Sequence, residues 1–414
     1  REHGLILRFS SEYFRFITSH RRFLAFGLIA AALSGFGQTF FISMFSEPIR
    51  ETFDLGHGGF GLYFGAATLA SSLAVIWLGR LLDRIDLRLF AAASLAGLAS
   101  GALLIGLAES APILIAALFL LRLCGQGLMT HMALSSMARY FEAERGRALS
   151  IATLGLPIAE AMLPASAVAL MAIMYWQHVW LWVAVALLLA GIPTLQWLLH
   201  GHGARRRKLD REQAEQTQQT RWRRRDVLRD KRLYFYLPAI VAAPTAVTFL
   251  FFHQAQIAEE HGWNLELMAG SFFGFAGAHV LGLIAGGPWV DRISAQRALP
   301  LALVPLGSGL VLAALFSGAW VVPAYMTLAG LSAGFGAPAM NALWAELYGV
   351  HNLGAIRALA HSTMTMMTAI SPPVTGMMID WGIPTKGIIS GLAVYVAIAS
   401  ILAVLANKRA RNRD

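Results

Sequence analysis

The feature that most restricts the fold of this chain is a recurring run of about 20 mainly apolar residues, the length a helix needs to cross a bilayer. Runs of this kind fall near 22–46, 57–80, 89–108, 111–138, 148–173 and 178–199. A polar stretch follows at 201–232, and six more runs lie near 234–258, 265–288, 298–317, 319–345, 355–379 and 384–406. Inside lipid a backbone must satisfy its own hydrogen bonds, so such runs become helices. Most of the polar gaps are short, which makes consecutive helices antiparallel neighbours. The predicted fold is therefore an all-α integral membrane protein of twelve transmembrane helices. Composition agrees: 57% of residues are hydrophobic and 14% charged, against about 25% charged in a soluble domain.

Charge placement tests the helix count independently. Of the 33 lysines and arginines, all but Arg50, Arg122 and Lys386 lie in segments that twelve spans put on one side. By the positive-inside rule this side is cytoplasmic, with both termini and the loop 201–232 on it. The formal charge of +10 is thus a topology signal, and no nucleic-acid partner is expected. The run Arg205-Arg206-Arg207-Lys208 reads as an anchor beside anionic headgroups. The expected domains are a six-helix bundle over 1–200, a basic linker over 201–232 and a second six-helix bundle over 233–414. No small-residue cleavage site precedes the first apolar run, so no cleaved leader is expected. The single cysteine, Cys124, forms no intramolecular disulfide and reads as a packing residue.

The two halves echo each other. Gly79-Arg80-Leu81-Leu82-Asp83-Arg84 ends the second run, and Gly287-Pro288-Trp289-Val290-Asp291-Arg292 ends the eighth, 208 residues later. Arg147-Ala148-Leu149 and Arg357-Ala358-Leu359 open the fifth and eleventh runs at an offset of 210. Two matches at nearly one offset argue for an internal duplication, and hence for two pseudo-symmetric six-helix bundles.

The stretch Gly79 to Arg88 resembles the signature loop between the second and third helices of the major facilitator superfamily. This resemblance implies two bundles around a central cavity and alternating access by rocking. It assigns a conformational latch to Gly79, Asp83, Arg84 and Arg88, echoed by Asp291 and Arg292. Asp83 would accept hydrogen bonds from a helix N-terminus across the bundle, where the helix dipole favours an anion. The first, fourth, seventh and tenth helices would line the cavity. The fifth helix, Gly155-Leu156-Pro157-Ile158-Ala159-Glu160, departs from the pattern of drug–proton antiporters. The eleventh, from Gly354 to Pro373, is similar to that of monocarboxylate and oxalate carriers. Their eighth-helix arginine is missing here, with His279 as the ionisable group instead.

Ionisable residues within spans cost at least about 2.5–3.5 kcal/mol and mark function. Arg122 lies about 16 Å into the fourth span at ~1.5 Å per residue, near the midplane. It is the candidate anion holder, with Gln126 one turn on. Glu160 lies at similar depth on the fifth span. It either neutralises Arg122 in the empty carrier or takes up a coupled proton. Four histidines also lie in spans. His279 is a proton-coupling candidate and His253, with Gln254, a substrate or gating candidate. His131 is expected half a helical turn out of phase with Arg122, and His361 is expected to pack in the bundle. Gln38 and Asn341 are further hydrogen-bonding candidates for substrate. The cluster Met364, Met366 and Met367 reads as packing, so no metal is expected.

No nucleophile set or phosphate loop appears; Gly58-Gly59-Phe60-Gly61 lies at a helix start, not after a strand. The chain is therefore expected to be a non-enzymatic secondary transporter without a cofactor. It would move a small organic anion by proton symport, as a monomer in a bacterial inner membrane. The alternatives are a proton-antiport exporter of amphipathic compounds and a non-transporting sensor or assembly protein.

Overall fold

A computed structural model describes residues 2–79, 81–141, 144–201, 203, 231–348 and 353–411. Most of the linker, Arg80 and the side chains of Asp83, Arg357 and His361 lie outside the described residues.

Among the described residues the chain is all-helical, with twelve long helices. In order they are α1 (Glu2–Leu33), α2 (His57–Leu78), α3 (Leu87–Gly106), α4 (Ala111–Tyr140), α5 (Arg145–Met171) and α6 (Trp176–Leu198). The second set is α7 (Lys231–Phe252), α8 (Leu265–Ile293), α9 (Ala295–Leu315), α10 (Val321–Tyr348), α11 (Leu353–Asp380) and α12 (Thr385–Arg411). Ten of the twelve paths pass a test of length and hydropathy for membrane crossing among the described residues. The other two, α10 and α11, are each 28 residues long. The end of the molecule carrying the loop after α2 and the start of α7 is called the basic side here, and the opposite end the far side.

Large apolar side chains point outward along the helices, among them Leu62, Leu73, Leu189, Ile284 and Ile401. A surface of this kind is stable against lipid and not against water. Exposed aromatic residues mark the two rims: Trp77 and Trp197 on the basic side, Tyr175, Trp320 and Trp381 on the far side. Tryptophan and tyrosine prefer this interfacial level. Arg22 stacks over the Trp197 ring at 5.0 Å, which joins α1 to α6 at the basic rim.

Small residues set the tightest crossing between the halves. A methyl group added at Gly61 of α2 would lie 2.6 Å from the Pro372 carbonyl oxygen of α11, and one at Gly65 would strike the Ala369 carbonyl. Membrane helices approach this closely only where side chains are absent. Both contacts lie in the far half of the helices, where α5 also meets α8 and α7 meets the segment Thr39–Ile42 that follows α1. The two halves are thus joined along their far ends.

Two of the predicted spans are broken. The first, expected at 22–46, is helical to Leu33. It then passes through a 3₁₀ turn at Ser34–Gly37, an extended Gln38 (φ −87°, ψ 157°) and a second 3₁₀ turn at Ser43–Phe45. The seventh, expected at 234–258, ends at Phe252. His253 leaves helical geometry (φ −101°, ψ 20°) and a new helix runs over Gln254–His261. The repeat offset of 210 carries Ser43 onto His253, so these breaks are related by the duplication.

Candidate functional site

Three layers lie between the centre of the molecule and its far side. The innermost is built on Arg122. The helix α4 widens into a π-helix over Leu121–Met129, a form often found at functional sites. There it crosses the break in α1 so closely that a methyl group at Gly37 would strike the Leu121 carbonyl and lie 2.7 Å from Gly125 Cα. Ending the α1 helix at this point frees backbone carbonyls. Arg122 takes one: its Nη1 donates to Gly37 O at 3.0 Å and approaches Thr39 Oγ1 at 3.5 Å. Its Nε donates to Thr68 Oγ1 of α2 at 3.0 Å. The guanidinium carbon sits 4.7 Å over the Phe64 ring, a desolvated cation–π contact worth about 2 kcal/mol. The side chain is fully buried. Among the described residues its Nη2 has no hydrogen-bond partner, and no carboxylate among them pairs with it.

Glu160 is paired elsewhere. Its Oε2 lies 2.9 Å from His279 Nδ1 on α8, so the expectation that it neutralises Arg122 does not hold. The two sites share a depth but not a direction: Glu160 turns toward α8 and the other half. Phe275 packs on His279 with centroids 5.9 Å apart and is joined to Phe251 and Phe272. The pair is thus walled by aromatic rings.

The second layer is aromatic and spans both halves. Phe252 of α7 stacks on Phe60 and leans on Phe64 of α2, at 5.3 and 4.8 Å. The third layer is polar. Gln254 Nε2 donates to Ser43 Oγ at 2.8 Å, and His253 Nε2 lies 2.9 Å from Thr375 Oγ1 of α11. The pseudo-symmetric breaks therefore touch each other. His253 and Gln254 are almost wholly buried here, and Gln254 Oε1 is left without a partner.

The twelve-helix order and the duplication find a counterpart in sequence comparison. The sequence model described as Major Facilitator Superfamily matches residues 27–285 and 255–413. The chain belongs to the major facilitator superfamily. Its members are secondary transporters built from two six-helix halves, and the chain is accordingly a multi-pass membrane transporter. A search of curated proteins finds no match.

Within this facilitator fold the remaining sequence candidates scatter. Gln38 and Gln126 flank the Gly37–Gly125 crossing. Both are half-buried, and neither side chain makes a hydrogen bond among the described residues. Asn341 is exposed toward the basic end of α10. His131, expected to face away from Arg122, lies 3.5 Å from where a methyl group at Gly79 of α2 would stand. Both residues therefore face α2. A π turn takes more residues than an α turn, so the half-turn offset counted at 3.6 residues per turn is lost. On the basic side Asp291 and Arg292 are exposed in the last turn of α8. With Arg297 and Glu346 they border an open recess of about 510 Å³. Arg84 is exposed and Gly79 buried. Arg88 opens α3, its backbone N–H held by Asp86 at 2.8 Å and its carbonyl by Gln196 of α6 at 2.8 Å.

Sequence reasoning missed Phe64, Thr68 and Asp380. The first two are ordinary residues of an apolar run. Asp380 is a lone acid at a helix end; its one signal was the glycine-rich Gly56-His57-Gly58-Gly59, a helix start without a capping side chain. Asp380 accepts from the backbone N–H groups of His57 and Gly58, at 2.9 and 2.8 Å.

Proposed function

We propose that this transporter carries a small organic anion together with a proton, by alternating access in a bacterial cytoplasmic membrane, with its basic side in the cytoplasm. The supporting observation is Arg122: a fully buried guanidinium that, among the described residues, has no partner for Nη2 and no carboxylate beside it. An uncompensated charge at such depth is costly, and a bound carboxylate offsets it with a charge-assisted hydrogen bond.

Charge balance supports the coupling. Arg122 carries one positive charge. With hydrogen on Nδ1 of His279, that nitrogen donates to Glu160 and the pair carries one negative charge. The empty centre is then neutral. Protonation at Nε2 makes the pair neutral and leaves the centre positive; a monocarboxylate restores neutrality. Either ligand alone leaves net charge in a low-dielectric interior, so the two bind best together. Gln38 and Gln126 supply amides beside the anion. His253 and Gln254 close the far side over it, and Asn341 stands at the basic entrance.

The test is thermal stabilisation of the purified protein by a panel of small carboxylates, uncharged metabolites and cationic amphipaths, beside Arg122→Ala. A ligand of the native state raises Tm by mass action. Carboxylates are expected to stabilise the native protein and not the variant. Stabilisation of both proteins by uncharged or cationic compounds alone overturns the anion reading.

A further inference from the structure

The helix caps of this fold divide into two kinds. Among the described residues, most are made within one half. Asp86 caps α3, which it precedes, and Asn264 Oδ1 caps α8 by accepting from Leu267 N–H at 2.8 Å. Glu346 of α10 accepts from the first N–H groups of α9, those of Ala295 and Gln296, at 2.6 and 3.2 Å. Glu260, after α7, accepts from the backbone N–H and the hydroxyl of Thr385 at the start of α12, each at 2.7 Å. These caps move with the helices they hold.

The cap of α2 is different. Its own N-cap is Gly56, which has no side chain to offer. The equivalent helix of the second half, α8, supplies its own through Asn264. The two N–H groups of α2 left open are taken by Asp380, the last residue of α11 in the other half. A carboxylate at a helix N-terminus is favoured by the exposed N–H groups and by the dipole. Here that favourable energy exists only while the far ends of α2 and α11 are together. Glycine at 56 and 58 leaves the room: a methyl group at either would lie about 3 Å or less from an Asp380 carboxylate oxygen. Asp380 itself stays exposed, so water replaces its partners when the halves part.

We propose that Asp380 is a positioning residue of the transport cycle, a far-side latch that stabilises the far-closed state by capping α2 across the halves. It is the counterpart, at the opposite end of the same helix, of the latch assigned by resemblance to Asp83. The inference rests on the chain being an alternating-access transporter and not on the identity of its substrate.

Two single-cysteine reporters in a Cys124→Ser background test it, in purified protein reconstituted in lipid nanodiscs with a water-soluble maleimide. Ser46→Cys stands in the buried far-side layer, and Asn341→Cys stands at a position exposed in the present state. Neither readout needs substrate or protons. Asp380→Asn, which loses the charge and one of the two acceptor oxygens, is expected to raise the labelling rate at Ser46→Cys about two- to fivefold, the population shift equivalent to the ~0.3–1 kcal/mol of a charge at a helix N-terminus. Labelling at Asn341→Cys is expected to fall in the same variant. Asp380→Glu is expected to keep both rates closer to those of the parent than Asp380→Asn does. Unchanged rates in Asp380→Asn, or a rise at both reporters as in general loosening, would overturn the latch.

Discussion

Arg122 and the Glu160–His279 pair lie at similar depth, yet they handle charge in opposite ways. The guanidinium is held by a carbonyl, two hydroxyls and a ring, and no acid among the described residues answers it. Glu160, a few helices away, meets His279 at 2.9 Å across the two halves. The first group is packed entirely within the N-terminal half, by α1, α2 and α4. The second bridges the halves through α5 and α8 and must change when they rock. A charge fixed in one half suits the holding of a ligand, and a titratable contact between halves suits the gating of movement by a proton.

The strongest way to break this contrast is to remove Arg122. If it served stability as a paired buried arginine does, its loss would cost about 3–5 kcal/mol. Arg122→Met instead removes an unpaired charge while leaving the Gly37 carbonyl open, which costs about 1–3 kcal/mol. These terms oppose each other, so the expected change in Tm is small. Transport is expected to fall on the order of 10–100-fold, the value of a charged hydrogen bond of about 1.5–3 kcal/mol. Calorimetry and uptake into proteoliposomes, run on one preparation, check the split. A large drop in Tm with a proportionate loss of uptake would make Arg122 a structural residue.

The other side of the comparison is tested by Glu160→Gln. The amide oxygen still accepts from His279 Nδ1, so the contact survives without its charge. In the native protein, anion affinity is expected to fall as pH rises, the sign of linked proton uptake. In the variant that dependence flattens, and a pH gradient no longer drives accumulation while exchange persists. Isothermal titration across a pH series reads the slope directly. A slope unchanged in Glu160→Gln removes this pair from the coupling.

The sequence exposed one coordinate of these sites well and another poorly. Depth along a span follows from counting residues, which placed Arg122, Glu160 and His279 at one level. Direction around a helix requires a regular helix and known neighbours. The π-helix over Leu121–Met129 shifts the phase, so His131 faces α2 together with Arg122. The broken first and seventh spans are similar. Nothing apolar or polar in the pattern around His253 ends a helix; its bond to Thr375 and that of Gln254 to Ser43 hold the break, and both partners are distant in sequence. Helix count, duplication and family were legible because each is a property of long segments. Asp380 was not, because a single exposed acid at a helix end acquires meaning only when α2 is seen beneath it.

The smallest expected effect sharpens the Arg122 side alone. Gln38 and Gln126 flank the Gly37–Gly125 crossing, half-buried and without side-chain hydrogen bonds among the described residues. Partly exposed amides on either side of one crossing can be reached by a ligand, which would replace water on them. Replacing either with alanine removes no hydrogen bond among the described residues, so stability is expected to change by no more than about 0.5 kcal/mol. If each donates to the bound anion, loss of one neutral hydrogen bond, about 0.5–1.5 kcal/mol, raises KM about two- to tenfold. The two effects are expected to exceed or fall short of additivity in the double variant, because groups that share one ligand couple. An unchanged KM in each single variant would separate the amides from the arginine and leave Arg122 as a lone charge in an apolar wall.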